Sequence, residues 1–281
     1  MRIFVTGGTG FIGSHFLQCA LDAGHEVLAL RRSSKSRPRI PLSREPDWLD
    51  KSMPEIEEGE LVGCEVLVHL AAHSANVPYD TLENCLVWNV IEPVKLFEKA
   101  IASGLPRFVV AGSCFEYGTA GERYQSIPVD APLEPTQTYP ASKAAASIAF
   151  SQLAIERKVE LILLRIYQVF GEGETESRLW PSLRRAALAG EDFPMTKGEQ
   201  IRDFIPVEQV AAQFLEACER SDLSPGDPIV ENIGTGQPQT LREFAETWWQ
   251  HWQANGSLKP GAIPYRPHEV MRYVPQVKTE I

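Results

Sequence analysis

Thr6-Gly7-Gly8-Thr9-Gly10-Phe11-Ile12-Gly13 joins a short apolar run, Ile3 to Val5, to a segment of helical spacing, Phe11 to Ala23, that Gly24 stops. Within it Gly8, Gly10 and Gly13 meet the G-x-G-x-x-G spacing. Small residues let a backbone approach a pyrophosphate, whose charge is stabilised by unpaired N–H groups and the positive helix end, and Gly13 permits close helix–strand packing. The bare pattern is as often a Gly-rich turn without a ligand. The strand before it and the helix after it select a dinucleotide site, with Gly7, Gly10, Phe11, Ile12 and Gly13 as the contacting residues.

Working outward, Val27 to Leu30, Val66 to Leu70, Phe108 to Ala111 and Leu161 to Ile166 are short, dense apolar runs without strict alternation. Such runs suit strands buried on both faces. Helical candidates lie between them at Leu82 to Ser103, ended by Gly104 and Pro106, and at Ala141 to Arg157. The alternation predicts an α/β fold, a doubly wound parallel (Rossmann) sheet over residues 1–165. From about Gly171 the apolar runs shorten and Trp180, Trp248, Trp249 and Trp252 appear. Residues 166–281 are expected to form mainly a smaller α/β substrate-binding region, with Ile229 to Ile233 returning to the sheet. The tryptophan stripe has the spacing of an amphipathic helix packed against the sheet region.

Composition narrows the partners. The 281 residues are 43% hydrophobic and 9% aromatic, enough for a large core and against disorder. With 37 acidic and 27 basic side chains the formal charge is -10, which makes nucleic acid a poor partner. The five cysteines are scattered, without Cys-x-x-Cys, so neither a disulfide framework nor a zinc site is indicated. His69 and His73 straddle a strand end rather than a helix face, and no His-Glu-x-x-His occurs, so no metal is expected. No run approaches the ~20 apolar residues of a membrane span, and Gly7 and Gly8 interrupt any signal-like start. A reducing, cytoplasmic setting follows as an expectation.

The second strand ends at Leu30 and is followed by Arg31, Arg32, Ser33 and Ser34, where a carboxylate would accept a bond from the ribose 2′-hydroxyl of NAD. Guanidinium and hydroxyl donors suit a 2′-phosphate instead. NADP(H) is therefore expected ahead of NAD(H), with Arg31 and Arg32 as its contacts. Lys35, Arg37 and Arg39 read as a solvated, flexible loop.

Tyr139-Pro140-Ala141-Ser142-Lys143 places a phenol and an ammonium four residues apart, on one helix face. A free phenol has a pKa of about 10, and a neighbouring cation favours its ionised form. A pKa near neutral would require about 4 kcal/mol of differential stabilisation, more than Lys143 alone is expected to supply, so the nicotinamide charge is expected to contribute as well. Alone, such a pair is far more often a surface feature.

The combination reverses that prior. Thr6 to Gly13, Val68-His69-Leu70-Ala71-Ala72, Ser113 with Tyr117-Gly118, and Tyr139 to Lys143 occur in one order. The chain resembles the extended branch of the short-chain dehydrogenase/reductase superfamily, the NAD-dependent epimerase/dehydratase family. Leu164 to Gly171, Arg202-Asp203-Phe204 and Asn232-Ile233-Gly234 look like its nucleotide-sugar members. The resemblance implies that Tyr139 exchanges the hydroxyl proton, Lys143 lowers its pKa and holds the nicotinamide ribose, and Ser113 hydrogen-bonds the reacting oxygen. It implies cofactor contact at Leu70, Ala71 and Ala72, and substrate contact at Ser113, Gln168, Arg202 and Arg266. Ordinary salt-bridge roles stay open for both arginines. Asn89 matches a helix Asn of the family and reads equally as a structural polar residue. A homodimer through the helices at 82–103 and 141–157 is also implied.

Departures from the family pattern bear on the reaction. Dehydratases and decarboxylating relatives place acidic residues directly after the Ser113 position, where this chain has Cys114 and Phe115. The epimerase-reductases that make GDP-fucose have a Cys where Phe115 stands and a His near Glu172. The expectation is NADPH-dependent reduction of a nucleotide-linked 4-keto-6-deoxy sugar. The alternatives are an NAD-dependent C4 epimerase and a non-catalytic NADP-sensing protein on the same scaffold. A sensor should have lost Tyr139 or Lys143, and both are present.

Overall fold

The structure, a computed structural model, describes residues 1–266 and 269–277. Its strands are β1 (Arg2–Thr6), β2 (Glu26–Arg31), β3 (Asp47–Asp50), β4 (Val66–His69), β5 (Arg107–Ser113), β6 (Glu160–Ile166), β7 (Gln168–Phe170), β8 (Phe193–Met195), β9 (Ile201–Pro206), β10 (Ile229–Ile233), β11 (Pro238–Thr240), β12 (Leu258–Pro260) and β13 (Arg272–Tyr273). The α-helices are α1 (Phe11–Asp22), α2 (Leu82–Leu86), α3 (Glu92–Ala102), α4 (Thr138–Arg157), α5 (Leu179–Ala189), α6 (Val207–Glu219) and α7 (Leu241–His251).

Seven strands form one parallel sheet in the order β10-β6-β5-β4-β1-β2-β3. The direction of winding reverses between β1 and β4, and in open α/β sheets a ligand crevice lies at that point, beyond the strands' carboxyl ends. The glycine turn follows β1 and Leu70 to Ala72 follow β4, so both flank the crevice. One face of the sheet buries Phe16 and Leu17 of α1 with Val210 and Phe214 of α6. The other buries Phe97, Phe108, Phe150 and Leu161, with Phe97 4.8 Å from Phe150 between ring centres.

Strand β10 pairs with β6 over Ile229 to Ile233, after the chain has left the sheet for more than sixty residues. Meanwhile β7, β9, β11 and β13 build a smaller sheet around β9. Because β7 begins two residues past β6, this sheet springs from the carboxyl end of the main one.

Some local structure departs from the periodicity. Strand β3 was not expected: Asp47-Trp48-Leu49-Asp50 is an edge strand with acids at both ends. The helix expected over 82–103 carries a π-helical turn at Val87–Ile91, where Asn89 is buried. Asn89 Nδ2 donates to Ser142 Oγ at 2.9 Å and its Oδ1 accepts from His73 N at 2.7 Å, tying the loop after β4 to α4. Helix α4 starts at Thr138, not Ala141, because Pro140 sits in the first turn, where its missing N–H costs nothing. The tryptophan stripe joins α7 to α5 rather than to the main sheet. Trp249 is buried with Leu183 and Met195, and Trp248 and Trp252 pack against Trp180.

Candidate active site

The glycine turn is as close as a backbone permits. Gly7 has φ +76°, and a Cβ there would lie 2.5 Å from Ala71 N, so the turn lies directly against the end of β4. A Cβ on Gly13 would lie 2.1 Å from Gly7 O, which lets α1 start tight against the strand. At Gly10 a Cβ would meet little protein apart from Gly7 O, and no side chain caps the helix. The N–H groups of Phe11, Ile12 and Gly13 have no intrahelical acceptor. An open cradle lined by free N–H groups at a helix start fits a dinucleotide pyrophosphate.

At the end of β2 Arg31 is committed. Its Nε and Nη2 bind the Asp50 carboxylate, its cross-strand register partner, and its guanidinium lies 4.6 Å from the Trp48 ring centre. Asp50 is held below the usual carboxylate range chiefly by this hydrogen bond. Arg32 is exposed. The loop beyond is not the free, solvated segment its composition suggests. Arg39 N donates to Ser14 Oγ at 2.8 Å, Ser43 N to Gln18, and Arg44 to the carbonyls of Leu21 and His25, so the loop folds back along α1.

Ser113 ends β5, and Tyr139 and Lys143 occupy the first turns of α4, all three buried. Lys143 Nζ donates to Ala111 O at 2.7 Å, so the lysine is anchored to the strand that carries Ser113. Burial lowers its pKa. Lys143 does not by itself depress the phenol pKa, as the arithmetic on that pair anticipates. Burial, followed by the charge of Glu116, pushes Tyr139 above the ordinary phenol range, and the cation acting against them is Arg178, not Lys143. A protonated phenol is the state a proton donor requires.

Behind these residues Glu116 is fully buried. Its Oε1 accepts from Ser113 N at 2.7 Å, and its Oε2 accepts from Ser147 Oγ at 2.7 Å and Arg165 Nε at 2.9 Å. Arg165 also donates to the Tyr117 hydroxyl and to Val129 O. The network fixes β5, β6 and α4 beneath Ser113. Cys114 is buried, with its thiol pushed up to about 12 by desolvation.

The remaining candidates are Gln168, Arg202 and Arg266. Gln168 is half-buried on β7, in register with Phe204 of β9. Arg202 on β9 donates to Glu269 and Val270 O. Arg266 is exposed and acts electrostatically on Tyr79, whose ring centre is 5.4 Å from that of Tyr139. The sequence reading missed Tyr79, Glu174 and Arg178. Nothing in their spacing marks them; Glu174 is buried beside Arg178, and Tyr79 lies against the Tyr139 ring.

A doubly wound sheet with an open glycine cradle, and Ser, Tyr and Lys gathered at its carboxyl edge, defines a dinucleotide-dependent oxidoreductase scaffold. The chain belongs to the NAD dependent epimerase/dehydratase family, whose model matches residues 3–234. It is 26% identical to CDP-abequose synthase of Salmonella muenchen, covering 96% of this chain and 87% of that protein. It is 24% identical to dTDP-6-deoxy-L-talose 4-dehydrogenase (NAD(+)) of Aggregatibacter actinomycetemcomitans, over 96% of this chain and 98% of that one. The structure of UDP-glucose 4-epimerase from Thermotoga maritima with UDP-glucose superposes with a TM-score of 0.82 at 25% identity, covering 99% of this chain and 90% of that one.

Proposed function

We propose that this protein reduces a nucleotide-linked 4-keto-6-deoxy sugar with NADPH, with Tyr139 as the proton donor. The supporting observation is the way Glu116 is bound. The carboxylate that acts on Tyr139 is saturated by three donors, and Cys114 and Phe115 follow Ser113. Glu116 is thus occupied rather than poised as a second acid or base, which leaves Tyr139 as the proton donor and suits simple carbonyl reduction and not dehydration. A relative named as a 4-dehydrogenase of a dTDP-linked 6-deoxy sugar performs the reverse sense of such a step.

In this reading Ser113 donates a hydrogen bond to the carbonyl oxygen, so that negative charge developing there is stabilised. Tyr139 delivers its proton to the same oxygen. The bound cofactor supplies the hydride. Lys143 holds the nicotinamide ribose, Leu70 to Ala72 and the glycine turn hold the dinucleotide, and Arg32 faces the 2′-phosphate while Arg31 neutralises Asp50. Gln168, Arg202 and Arg266 take the nucleotide diphosphate and sugar. Mixing the protein with NADPH and a panel of nucleotide-linked 4-keto-6-deoxy sugars should consume the reduced-nicotinamide absorbance.

The C4 epimerase reading uses the same groups and is favoured by the likeness to the Thermotoga maritima enzyme. Sugar interconversion with no net loss of reduced cofactor would establish it instead. The quaternary reading is a homodimer. Trp88 and Ile91 on the π turn and Ile148 and Ile155 on α4 are exposed apolar side chains on packed neighbours, a surface suited to a second copy. A reducing, cytoplasmic setting is proposed from the five free cysteines.

A further inference from the structure

Ser113 caps the 3₁₀ turn Cys114–Tyr117 that follows β5, and it does so in a reciprocal pair of hydrogen bonds. Its N–H donates to Glu116 Oε1 at 2.7 Å, and its Oγ accepts from Phe115 N at 3.3 Å. Such a box satisfies the unpaired donors of a helix start. Here it also sets the hydroxyl, which has used a lone pair on Phe115 and, among the described residues, donates its own proton to nothing. Ser113 is 7% exposed and Tyr139 8%, so neither is sealed from the carboxyl edge of the sheet.

The carboxylate that completes the box is held on its other side as well. Glu116 Oε2 accepts from Ser147 Oγ at 2.7 Å and from Arg165 Nε at 2.9 Å. It lies flush against β5, because a Cβ on Gly112 would be 3.0 Å from Glu116 Oε1 and 3.0 Å from Arg165 Cγ. Ser147 stands one helical turn beyond Lys143, whose Nζ donates to Ala111 O at 2.7 Å. Helix α4 is therefore tied to β5 twice, by Lys143 to Ala111 and by Ser147 through Glu116 to Ser113. The two ties hold Ser113 at a set place relative to the helix that carries Tyr139.

We propose that Glu116 is a positioning residue that acts through Ser113. It fixes the Ser113 backbone and closes the box that turns the hydroxyl, so that the free proton meets the reacting carbonyl oxygen beside the Tyr139 hydroxyl. Glu116 exchanges no proton itself, being fully buried with both oxygens bonded. A donor aimed at a developing oxyanion has to be held closely, and a misplacement of about 1 Å costs up to ~100-fold in rate. The assignment rests on the roles given to Ser113 and Tyr139 in the nucleotide-sugar reading above.

The test is a double-mutant cycle on kcat between Ser113→Ala and the pair Glu116→Met with Arg165→Met, which removes the acceptor without leaving Arg165 buried and unpaired. The reactions are NADPH with UDP-, dTDP- and CDP-linked 4-keto-6-deoxyglucose, and UDP-glucose with NAD⁺, since Ser113 serves the same oxygen in reduction and in epimerisation. With Ser113 in place the methionine pair should lower kcat by about tenfold or more, while KM and the cofactor affinity from fluorescence titration stay near wild type. In the Ser113→Ala background the same pair should cost no more than about twofold. Glu116→Gln with Arg165→Met, which gives the Ser113 N–H a neutral acceptor, should recover part of the loss, and only where Ser113 is present. A purely structural Glu116 would lower the melting temperature without this dependence on the Ser113 hydroxyl. An equal loss of kcat in both backgrounds overturns the proposal, as does a fall in cofactor affinity that matches the fall in kcat. If the methionine pair does not fold, the same cycle on Glu116→Gln alone decides by the same outcomes. A wild type that turns over none of these sugars overturns the nucleotide-sugar reading and takes this assignment with it.

Discussion

Arg165 donates from Nε to Glu116 Oε2 across 2.9 Å, with the guanidinium 7% exposed and the carboxylate not at all. Breaking such a pair from one side strands a charge, at a cost of ~3–5 kcal/mol. Glu116→Gln should therefore lower the melting temperature by roughly 10 °C, and Glu116→Met with Arg165→Met should lose less than the single variant. Thermal melts of the three proteins check the order. A double variant worse than Glu116→Gln contradicts it.

Tyr139→Phe keeps the ring that packs against Tyr79 and removes only the acid. Turnover should fall by about 10²–10⁴ while NADPH affinity and melting temperature stay near wild type. Stopped-flow turnover and fluorescence titration separate these effects.

Arg31 and Arg32 should behave differently although they are neighbours. Arg32→Ala should reduce the NADPH-to-NADH ratio of kcat/KM by about tenfold, the worth of a charged hydrogen bond. Arg31→Ala should instead act mainly on stability, through loss of Asp50 and Trp48. An unmoved ratio in Arg32→Ala removes the 2′-phosphate assignment.

His69 and Glu174 carry opposite pH signatures. Burial lowers the His69 pKa to about 3, so below its ordinary value near 6.5 the unfolded chain binds a proton that the native state refuses. That contribution is complete above pH 6.5 and is lost on acidification towards pH 3, by on the order of 5 kcal/mol in total. Glu174, raised to about 7 from its ordinary 4.5, binds a proton more readily when folded, so its contribution falls as pH rises from 4.5 to 7. His69→Asn should flatten the acid limb of a melting-temperature profile, and Glu174→Gln should flatten the fall between pH 5 and 7. A wild-type profile that keeps both slopes in these variants refutes the attribution.

Ile148 is 64% exposed on α4. Ile148→Glu places a charge in the middle of the proposed dimer face and should yield a monomer in multi-angle light scattering at micromolar concentration. If wild type is itself monomeric there, the dimer reading is wrong.

What was legible in the sequence was local. The glycine turn announces itself because strand, turn and helix are contiguous, and Tyr139 and Lys143 because four residues make one helical turn. Strand β3 stayed hidden because Asp47 and Asp50 break its apolar run, and an edge position tolerates that. Its omission concealed the partner of Arg31, nineteen residues away and brought opposite only by strand register. The acidity of Tyr139 is not legible from spacing for a related reason. Spacing places Lys143 beside it, but burial, and a carbonyl on β5 that captures the ammonium, are properties of the packed fold.

Strand β10 has a consequence for synthesis. A chain emerging from the ribosome completes β6 at Ile166 but receives the neighbour for that edge only with Ile229 to Ile233. Until then β6 presents unpaired backbone groups beside Ile162 and Leu164, an aggregation-prone edge. At roughly 5–20 residues per second the exposed interval lasts several seconds, long enough for a chaperone to hold the nascent chain. The fold thus ties the glycine-turn sheet to a length of polypeptide made after Ser113, Tyr139 and Lys143 have already left the exit tunnel.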